Sequence, residues 1–252
     1  AAGGRRMAFK DHFSSQSAAY CRYRPEYPAE LIRYVASLAP DRRVAIDCAT
    51  GNGQAAVALA EHFEAVLAVD GSRSQLERAQ AHARVHYAAG LAEQLPLRDC
   101  SVSLVAAAQA AHWFDFDRFP AECRRVLVPG GVVALWTYEK FRVDPRVDAV
   151  IDQFYSAVVG PYWPPERRFV EQGYRTLPFP WREESAPPFV LETDWDLQQV
   201  TGYLATWSAV QRYKDQRGED PLPALAPRLA AEWPDGQARR LRWPIHLRIG
   251  RA

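Results

Sequence analysis

The chain has one methionine, Met7, and its basic residues are almost all arginine, with only Lys10, Lys140 and Lys214 as lysines. Its four cysteines, Cys21, Cys48, Cys100 and Cys123, are scattered and form no C-x-x-C pair. Without such a pairing pattern, reduced, core-like thiols of a cytoplasmic protein fit better than a disulfide framework. No run approaches the apolar length of a membrane span, and no signal-peptide core follows the N-terminus. Charge of either sign is not in excess. A net charge of +1 gives no overall pull toward nucleic acid or an anionic membrane. Residues 1–6 precede the only methionine and read as a tag remnant or upstream extension, outside fold reasoning.

What the chain does have is apolar residues at 48% of 252, enough for one sizeable core, or a core with a small cap. The organising stretch is Val44-Ala45-Ile46-Asp47-Cys48-Ala49-Thr50-Gly51-Asn52-Gly53-Gln54, followed by an alanine-rich run. It reads as a buried strand, a glycine-bearing turn and a helix over 54–62. Gly51 and Gly53 allow a sharp turn and let a ligand lie against bare main chain. The helix start offers unpaired N–H groups to the same space. Two ligand classes compete. Gly51 to Ala56 fits the loose dinucleotide fingerprint, with Asp70 placed as a ribose-binding acid. Asp47 argues against it, because a carboxylate facing the loop repels a pyrophosphate. S-adenosylmethionine has no phosphate. Its cationic methionine end suits Asp47, and the helix start suits its carboxylate. Asp47 as a mere turn aspartate, bonding loop N–H groups, is the bland alternative.

Along the chain, Tyr20 to Pro28 is a Tyr/Arg-rich crossing broken by Pro25 and Pro28, read equally as surface packing or as a flap over the site. Helical spacing follows over 29–39. Strands are expected at 65–69, 85–88, 101–108 and 132–137, with helices from Ser72 to about residue 83 and over 117–126. His82 and His86 stand four apart, but no neighbouring acid or cysteine completes a metal site, so no metal is expected. Alternating strands and helices with short links imply right-handed crossovers and a parallel sheet. The expected fold class is α/β, a doubly wound and mostly parallel seven-stranded sheet with an aromatic-rich cap. The divisions expected are a core with N-terminal flap at 7–139, a cap at 140–188 holding a helix over 147–159, and a part at 189–252 completing the sheet. That last part reads as a strand at 189–193, helices at 196–208 and 222–233, and a closing edge strand at 239–248 with an edge-type proline, Pro244.

This order of motifs resembles class I S-adenosylmethionine-dependent methyltransferases. The resemblance is carried by Asp47 to Gln54, Val69-Asp70, Ala92-Glu93, Gln109 to Trp113, and Arg125-Val126-Leu127 with Pro129-Gly130-Gly131. The outer segments, at Tyr20 to Pro28, Gly160 to Pro165 and Tyr203 to Ser208, are similar to a subgroup that includes trans-aconitate methyltransferases. The resemblance implies that Asp47 holds the methionine amino group beside the backbone of Ala49, Thr50 and Gly51, with Gln54 in the same loop. It implies that Asp70 accepts both ribose hydroxyls and that Gly71 and Gln75 flank the adenine pocket. Ala92 and Glu93 would meet the adenine edge, and Gln109 and Ala110 would lie near the sulfonium. Ala49 departs from the family's usual glycine, which is tolerable if its φ is negative.

Methyl transfer needs orientation and a dry pocket above all. His112 stands just past the fourth strand and is read as a base or as a hydrogen-bonding wall residue; the wall is favoured, since a lone histidine is usually structural. Trp113, Trp136, Tyr138, Tyr162 and Trp163 are expected to form an aromatic chamber, and Tyr20 and Arg24 to reach the acceptor from the flap. Gln109-Ala110-Ala111-His112 is not the proline-containing tetrad common in methyltransferases of base amino groups, which with the net charge argues against nucleic-acid substrates. The expectation is a cytoplasmic enzyme that methylates an oxygen nucleophile, carboxylate or hydroxyl, of a small molecule. The alternatives are an NAD(P)-dependent oxidoreductase on the same fold, or a cofactor-binding protein without turnover. The oligomeric state is not legible.

Overall fold

A computed structural model describes residues 24–234 and 236–252. Tyr20, Cys21 and the start of the flap lie outside the described residues. Three strands of the core are nearly continuous apolar runs: β1 (Val44–Cys48), β2 (Ala65–Asp70) and β4 (Val102–Ala108). Such runs belong to strands covered on both faces, and parallel pairing with helical crossovers supplies that cover. With β3 (Val85–Ala89) and β5 (Leu127–Thr137), they form parallel ladders β3-β2-β1-β4-β5. The chain starts at β1, winds outward to β3, then returns to β4 on the other side. The switch point therefore lies between β1 and β4, where ligands of such sheets bind beyond the carboxyl ends of the strands.

The sheet holds eight strands, in the order β3-β2-β1-β4-β5-β8-β6 with β7 on β8, one more than expected. The additional one, β6 (Arg182–Glu184), is too short to show an alternation in sequence. β8 (Arg239–Arg251) is not an edge strand: it is antiparallel to β5 through residues 246–251 and to β7 (Phe189–Trp195) through residues 239–245. Pro244 is tolerated for a local reason. Arg242 exchanges main-chain bonds with Arg142 on the side away from β7, at 2.8 and 2.9 Å. Pro244, two residues on, turns its missing N–H to that same side, past the end of the β5 ladder at Thr137 and His246.

Side chains alternate across the sheet into two cores. Ala45, Val66, Leu104, Ala106, Val132, Ala134 and Trp136 face α1 (Ala29–Leu38), α2 (Gln54–Ala60) and the C-terminal helices. Ile46, Cys48, Val105, Val133 and Leu135 face α4 (Phe119–Val126) and Tyr174, Leu177 and Trp181. The helix expected from Ser72 is only α3 (Arg73–Leu76); the chain beyond is tied down differently, by Gln80 N–H donating to the Asn52 carbonyl and Tyr87 Oη donating to the Gln80 carbonyl. The cap helix runs as α5 (Pro145–Gln153), capped by Asp144, and continues into a π-helical turn at Phe154–Val158, followed by the short α6 (Arg167–Glu171). Near the C-terminus α7 (Leu197–Ala205) starts with a capping box from Asp196 and Gln199. α8 (Ser208–Arg217) was not expected, because it buries only Ala209 and Val210 and is polar elsewhere; α9 (Leu222–Glu232) packs beside α7 and α5.

Gly53 caps α2 at φ +85, and a Cβ there would sit 2.0 Å from Tyr87 Oη. A left-handed alanine costs about 1–2 kcal/mol, and displacing the Tyr87 hydroxyl costs about 1 kcal/mol more in a lost hydrogen bond. Gly53→Ala is therefore expected to lose about 2–3 kcal/mol in chemical denaturation, whereas Gly218→Ala, at φ +71 with open space around it, should lose only the backbone part.

Candidate functional site

Beyond the carboxyl ends of β1, β2, β4 and β5 opens a cavity of about 780 Å³. The loop after β1 forms its floor by strained means. Ala49, Gly51 and Gly53 all take positive φ, at +53, +58 and +85. Alanine at 49 is thus in the left-handed region, contrary to the negative φ that would make it comfortable. Its position at a tight strand-to-loop turn requires that conformation, which favours glycine by about 1 kcal/mol. Gln109, at the end of β4, is likewise left-handed at φ +57. Its amide is locked: Nε2 donates to the Tyr138 carbonyl at 2.9 Å, while Oε1 accepts from Tyr138 N–H at 3.1 Å and from Thr137 Oγ1.

Two of the carboxylates in this cavity wall stand at the ends of β1 and β2. Asp70, at the end of β2, accepts from Gly51 N–H and Ser72 N–H, each at 2.8 Å. These bonds fix its orientation and couple the end of β2 to the loop after β1. Asp47, in β1, is 1% exposed. Its Oδ2 accepts from Thr50 Oγ1 at 2.6 Å, and its Oδ1 has no hydrogen-bond partner among the described residues. Burial, with a smaller contribution from the charge of Asp70, pushes Asp47 up to about 7; the Thr50 hydroxyl and the facing Ala56 N–H offset this only in part. A buried carboxylate with one bare oxygen is costly by itself and is relieved by a cationic hydrogen-bond donor. An ammonium group meets that need; a pyrophosphate worsens it.

Every cofactor residue expected from sequence lines this one cavity: Asp47, Ala49, Thr50, Gly51 and Gln54 from the β1 loop, Asp70, Gly71 and Gln75 after β2, Ala92 and Glu93, and Gln109 and Ala110 after β4. Glu93 Oε1 accepts from Asp115 N–H at 2.7 Å, which holds that side of the wall. Gln54 Nε2 donates to the Pro25 carbonyl at 2.8 Å and pins the flap residues 24–28 across the cavity.

Of the residues expected to meet the acceptor, Arg24, His112, Trp113 and Tyr138 line the cavity. Arg24 Nη1 donates to Tyr138 Oη at 3.1 Å. Trp136, Tyr162 and Trp163 do not line it. Trp136 is wholly buried, because it lies deeper along β5 than Tyr138 on the same face, edge-on to Tyr27 at 5.6 Å. Tyr162 packs against Tyr213 at a tilt, ring centres 4.9 Å apart, and Trp163 packs among Tyr155, Trp207 and the Arg167 guanidinium. These rings build the interior of the cap instead. Their places in the wall go to Tyr27, Phe114 and Phe169, with Glu166 beside them. Tyr27 stands in the Tyr/Arg-rich crossing and was within reach of sequence reasoning; Glu166 and Phe169 carry no local signal. His112 Nδ1 lies 2.9 Å from Tyr174 Oη, and burial with the nearby Arg167 charge lowers its pKa to about 3, so the ring is neutral near pH 7. Among the described residues no group of His, Cys, Asp and Glu could hold a metal, and no helix is long and apolar enough to cross a membrane.

Comparison with known proteins agrees with this geometry. Residues 46–135 match the family described as methyltransferase domain. A Dictyostelium discoideum protein provisionally assigned as a methyltransferase is 30% identical over 247 residues, covering 95% of this chain and 94% of that protein. A solved structure from Anaeromyxobacter dehalogenans, provisionally assigned as a type II methyltransferase, is 50% identical. It superposes with a TM-score of 0.85 over 91% of this chain and 98% of that one. An uncharacterized methyltransferase of Mycobacterium tuberculosis is 41% identical over 124 residues, about half of each chain at 49% and 50%. The chain belongs to the S-adenosylmethionine-dependent methyltransferases.

The raised pKa of Asp47 has a stability consequence with a definite sign. The folded state holds a proton that the unfolded chain has already lost between about pH 4 and pH 7, so ligand-free stability falls as pH rises through that window. Asp47→Asn removes the buried charge and keeps an oxygen for Thr50. It should stabilise the ligand-free protein by on the order of 2–4 kcal/mol above pH 7, with the gain disappearing near pH 4. Denaturation curves from pH 4 to 8 check this; a loss of stability at pH 8 would contradict it.

Proposed function

We propose that this methyltransferase places its cofactor with Asp47 on the methionine ammonium and Asp70 on the ribose hydroxyls, and moves the methyl group to an oxygen nucleophile of a small molecule. The bare Oδ1 of Asp47, buried at the β1–β4 switch, is the observation that carries the cofactor's orientation. Asp70, oriented by the Gly51 and Ser72 N–H groups, presents a carboxylate, a group that accepts from several donors at once. In this reading Ala49, Thr50, Gly51 and Gln54 flank the methionine end. Gly71, Gln75, Ala92 and Glu93 surround the adenine, and Gln109 and Ala110 lie where the methyl group emerges.

When bound, S-adenosylmethionine supplies a methyl carbon whose bond to a positively charged sulfur breaks as an acceptor lone pair arrives, leaving a neutral thioether. The protein's task is to align and dehydrate the acceptor. Trp113, Tyr138, Tyr27 and Phe169 give the cavity apolar faces, and Arg24 gives it a guanidinium, a group suited to carboxylate. A volume of about 780 Å³ falls within the range of small-molecule sites, about 300–1,000 Å³. A carboxylate acceptor needs no base, and His112, the histidine among the described residues of the wall, lies near 3 and is a poor one. This supports an acceptor of the kind used by the trans-aconitate methyltransferase subgroup, a small carboxylic acid, with a hydroxyl as the second choice. The absence of strong net positive charge is in keeping with a substrate other than nucleic acid.

Two measurements test this. S-adenosylhomocysteine should raise the melting temperature of the wild type, and Asp70→Ala should weaken its binding by about 2–3 kcal/mol, roughly 30- to 150-fold, because two charge-assisted hydrogen bonds are lost. Radiolabelled methyl should then pass to members of a panel of small carboxylic acids and phenols. Transfer only to amines would remove the oxygen reading.

A further inference from the structure

His112 and Tyr174 form a hydrogen-bonded pair whose direction can be worked out from the surrounding contacts. Tyr174 is fully buried, with 0% exposure, and its left-handed backbone, φ +60, closes the turn after α6 and directs the ring beneath the end of β4. A buried phenol normally gives its O–H to an acceptor. Among the described residues, the acceptor within hydrogen-bond distance of Tyr174 Oη is His112 Nδ1, at 2.9 Å. The Ala111 and His112 main-chain N–H groups, at the unpaired start of a short 3₁₀ turn (Ala111–Trp113), face the same phenolic oxygen as donors. With donors arriving at the oxygen, its own hydrogen is left for Nδ1. The hydrogen bond the phenol forms is the one with Nδ1 and not one with the Thr137 hydroxyl, which also faces it but can only accept, its own hydrogen being committed to Gln109 Oε1. Gln109 cannot rotate to release it, because its Nε2 already donates to the Tyr138 carbonyl.

We infer that Tyr174 fixes His112 as the Nε2–H tautomer, so that His112 gives a hydrogen bond to the acceptor oxygen instead of taking a proton from it. The ring lines the cavity, and Nε2 lies on the edge opposite the one held by Tyr174. A neutral Nε2–H is a donor only; the lone pair a general base needs is already occupied at Nδ1. Arg167, which adds positive charge near the ring, is held over Trp163 at 4.5 Å and bonded through Nε to Tyr155 Oη at 2.9 Å. Donor and cation together favour an acceptor oxygen that arrives already ionised, from which no proton has to leave. His112 is then a binding and specificity residue, and Tyr174 a positioning residue acting through it. The identity of the group that meets Nε2–H rests on the oxygen-acceptor reading above.

The tautomer can be read without cofactor or acceptor, by long-range proton–nitrogen correlation on the ¹⁵N-labelled full chain at pH 7, with His112→Gln identifying the signals. The expected spectrum has a protonated Nε2 and a bare Nδ1. It should be unchanged in Thr137→Val, while Tyr174→Phe should mix the two tautomers. A protonated Nδ1 in the wild type would overturn the inference, and its conversion to the Nε2–H form in Thr137→Val would show that the phenol gives its hydrogen to Thr137 instead. The wild-type and Thr137→Val spectra decide the matter even if Tyr174→Phe does not fold. Failure of methyl transfer to oxygen acids with the Nε2–H tautomer present would remove the acceptor reading alone.

Discussion

A carboxylate deprived of water stands at the centre of this molecule. Asp47 lies in the middle strand of a sheet covered on both faces, at the one place where the crossovers diverge and leave a gap. Its bare oxygen is a liability to the ligand-free fold and, in the function proposed above, the place where a cation is received, the same fact seen at two stages. The loop that surrounds it is strained as well. Ala49 and Gln109 accept left-handed backbone at the ends of β1 and β4, where a more relaxed turn would fill the gap. Stability for this region comes from elsewhere, from the two cores above and below the sheet.

The acceptor end depends on a different device. Tyr155 lies between Lys140, at 4.7 Å from its ring, and Arg167, at 5.6 Å, while its hydroxyl donates to Glu171. Trp163, Trp207 and Tyr203 continue this packing into the helices of the C-terminal part. These rings are thus continuous with the core on one face of the sheet, and Glu166 and Phe169, which meet the cavity, stand beside that packing. Packed support of this kind holds an acceptor in line without chemical participation, which is what methyl transfer demands.

The part of the cavity wall expected to hold the cofactor was legible in sequence because its parts are local. A strand end, the two or three residues after it and the start of a helix are consecutive in the chain, and a parallel sheet brings such strand ends to one side. Asp47, Asp70, Glu93 and Gln109 each follow that rule. The opposite wall was legible only in part: Arg24, His112, Trp113 and Tyr138 line it as expected, whereas Phe114, Glu166 and Phe169 converge from segments that have no common pattern. Aromatic residues in the cap are equally suited to core and wall, and only packing separates Trp113, in the wall, from Trp136 and Trp163, in the interior. α8 escaped for want of an apolar stripe, and the helix after Ser72 was overdrawn because its continuation is held by Asn52 and Tyr87, partners remote in sequence.

The central claim is that an ionised Asp47 receives the cationic end of the cofactor. It is tested most directly by calorimetric titration of S-adenosylhomocysteine at pH 6 and pH 8, in buffers of different ionisation enthalpy. Below about pH 7 the carboxyl holds a proton that the ligand's ammonium must displace. Binding should therefore be weaker at pH 6 than at pH 8, by up to about tenfold, with proton release at pH 6 that fades at pH 8. Affinity independent of pH, with no proton released, would contradict the account.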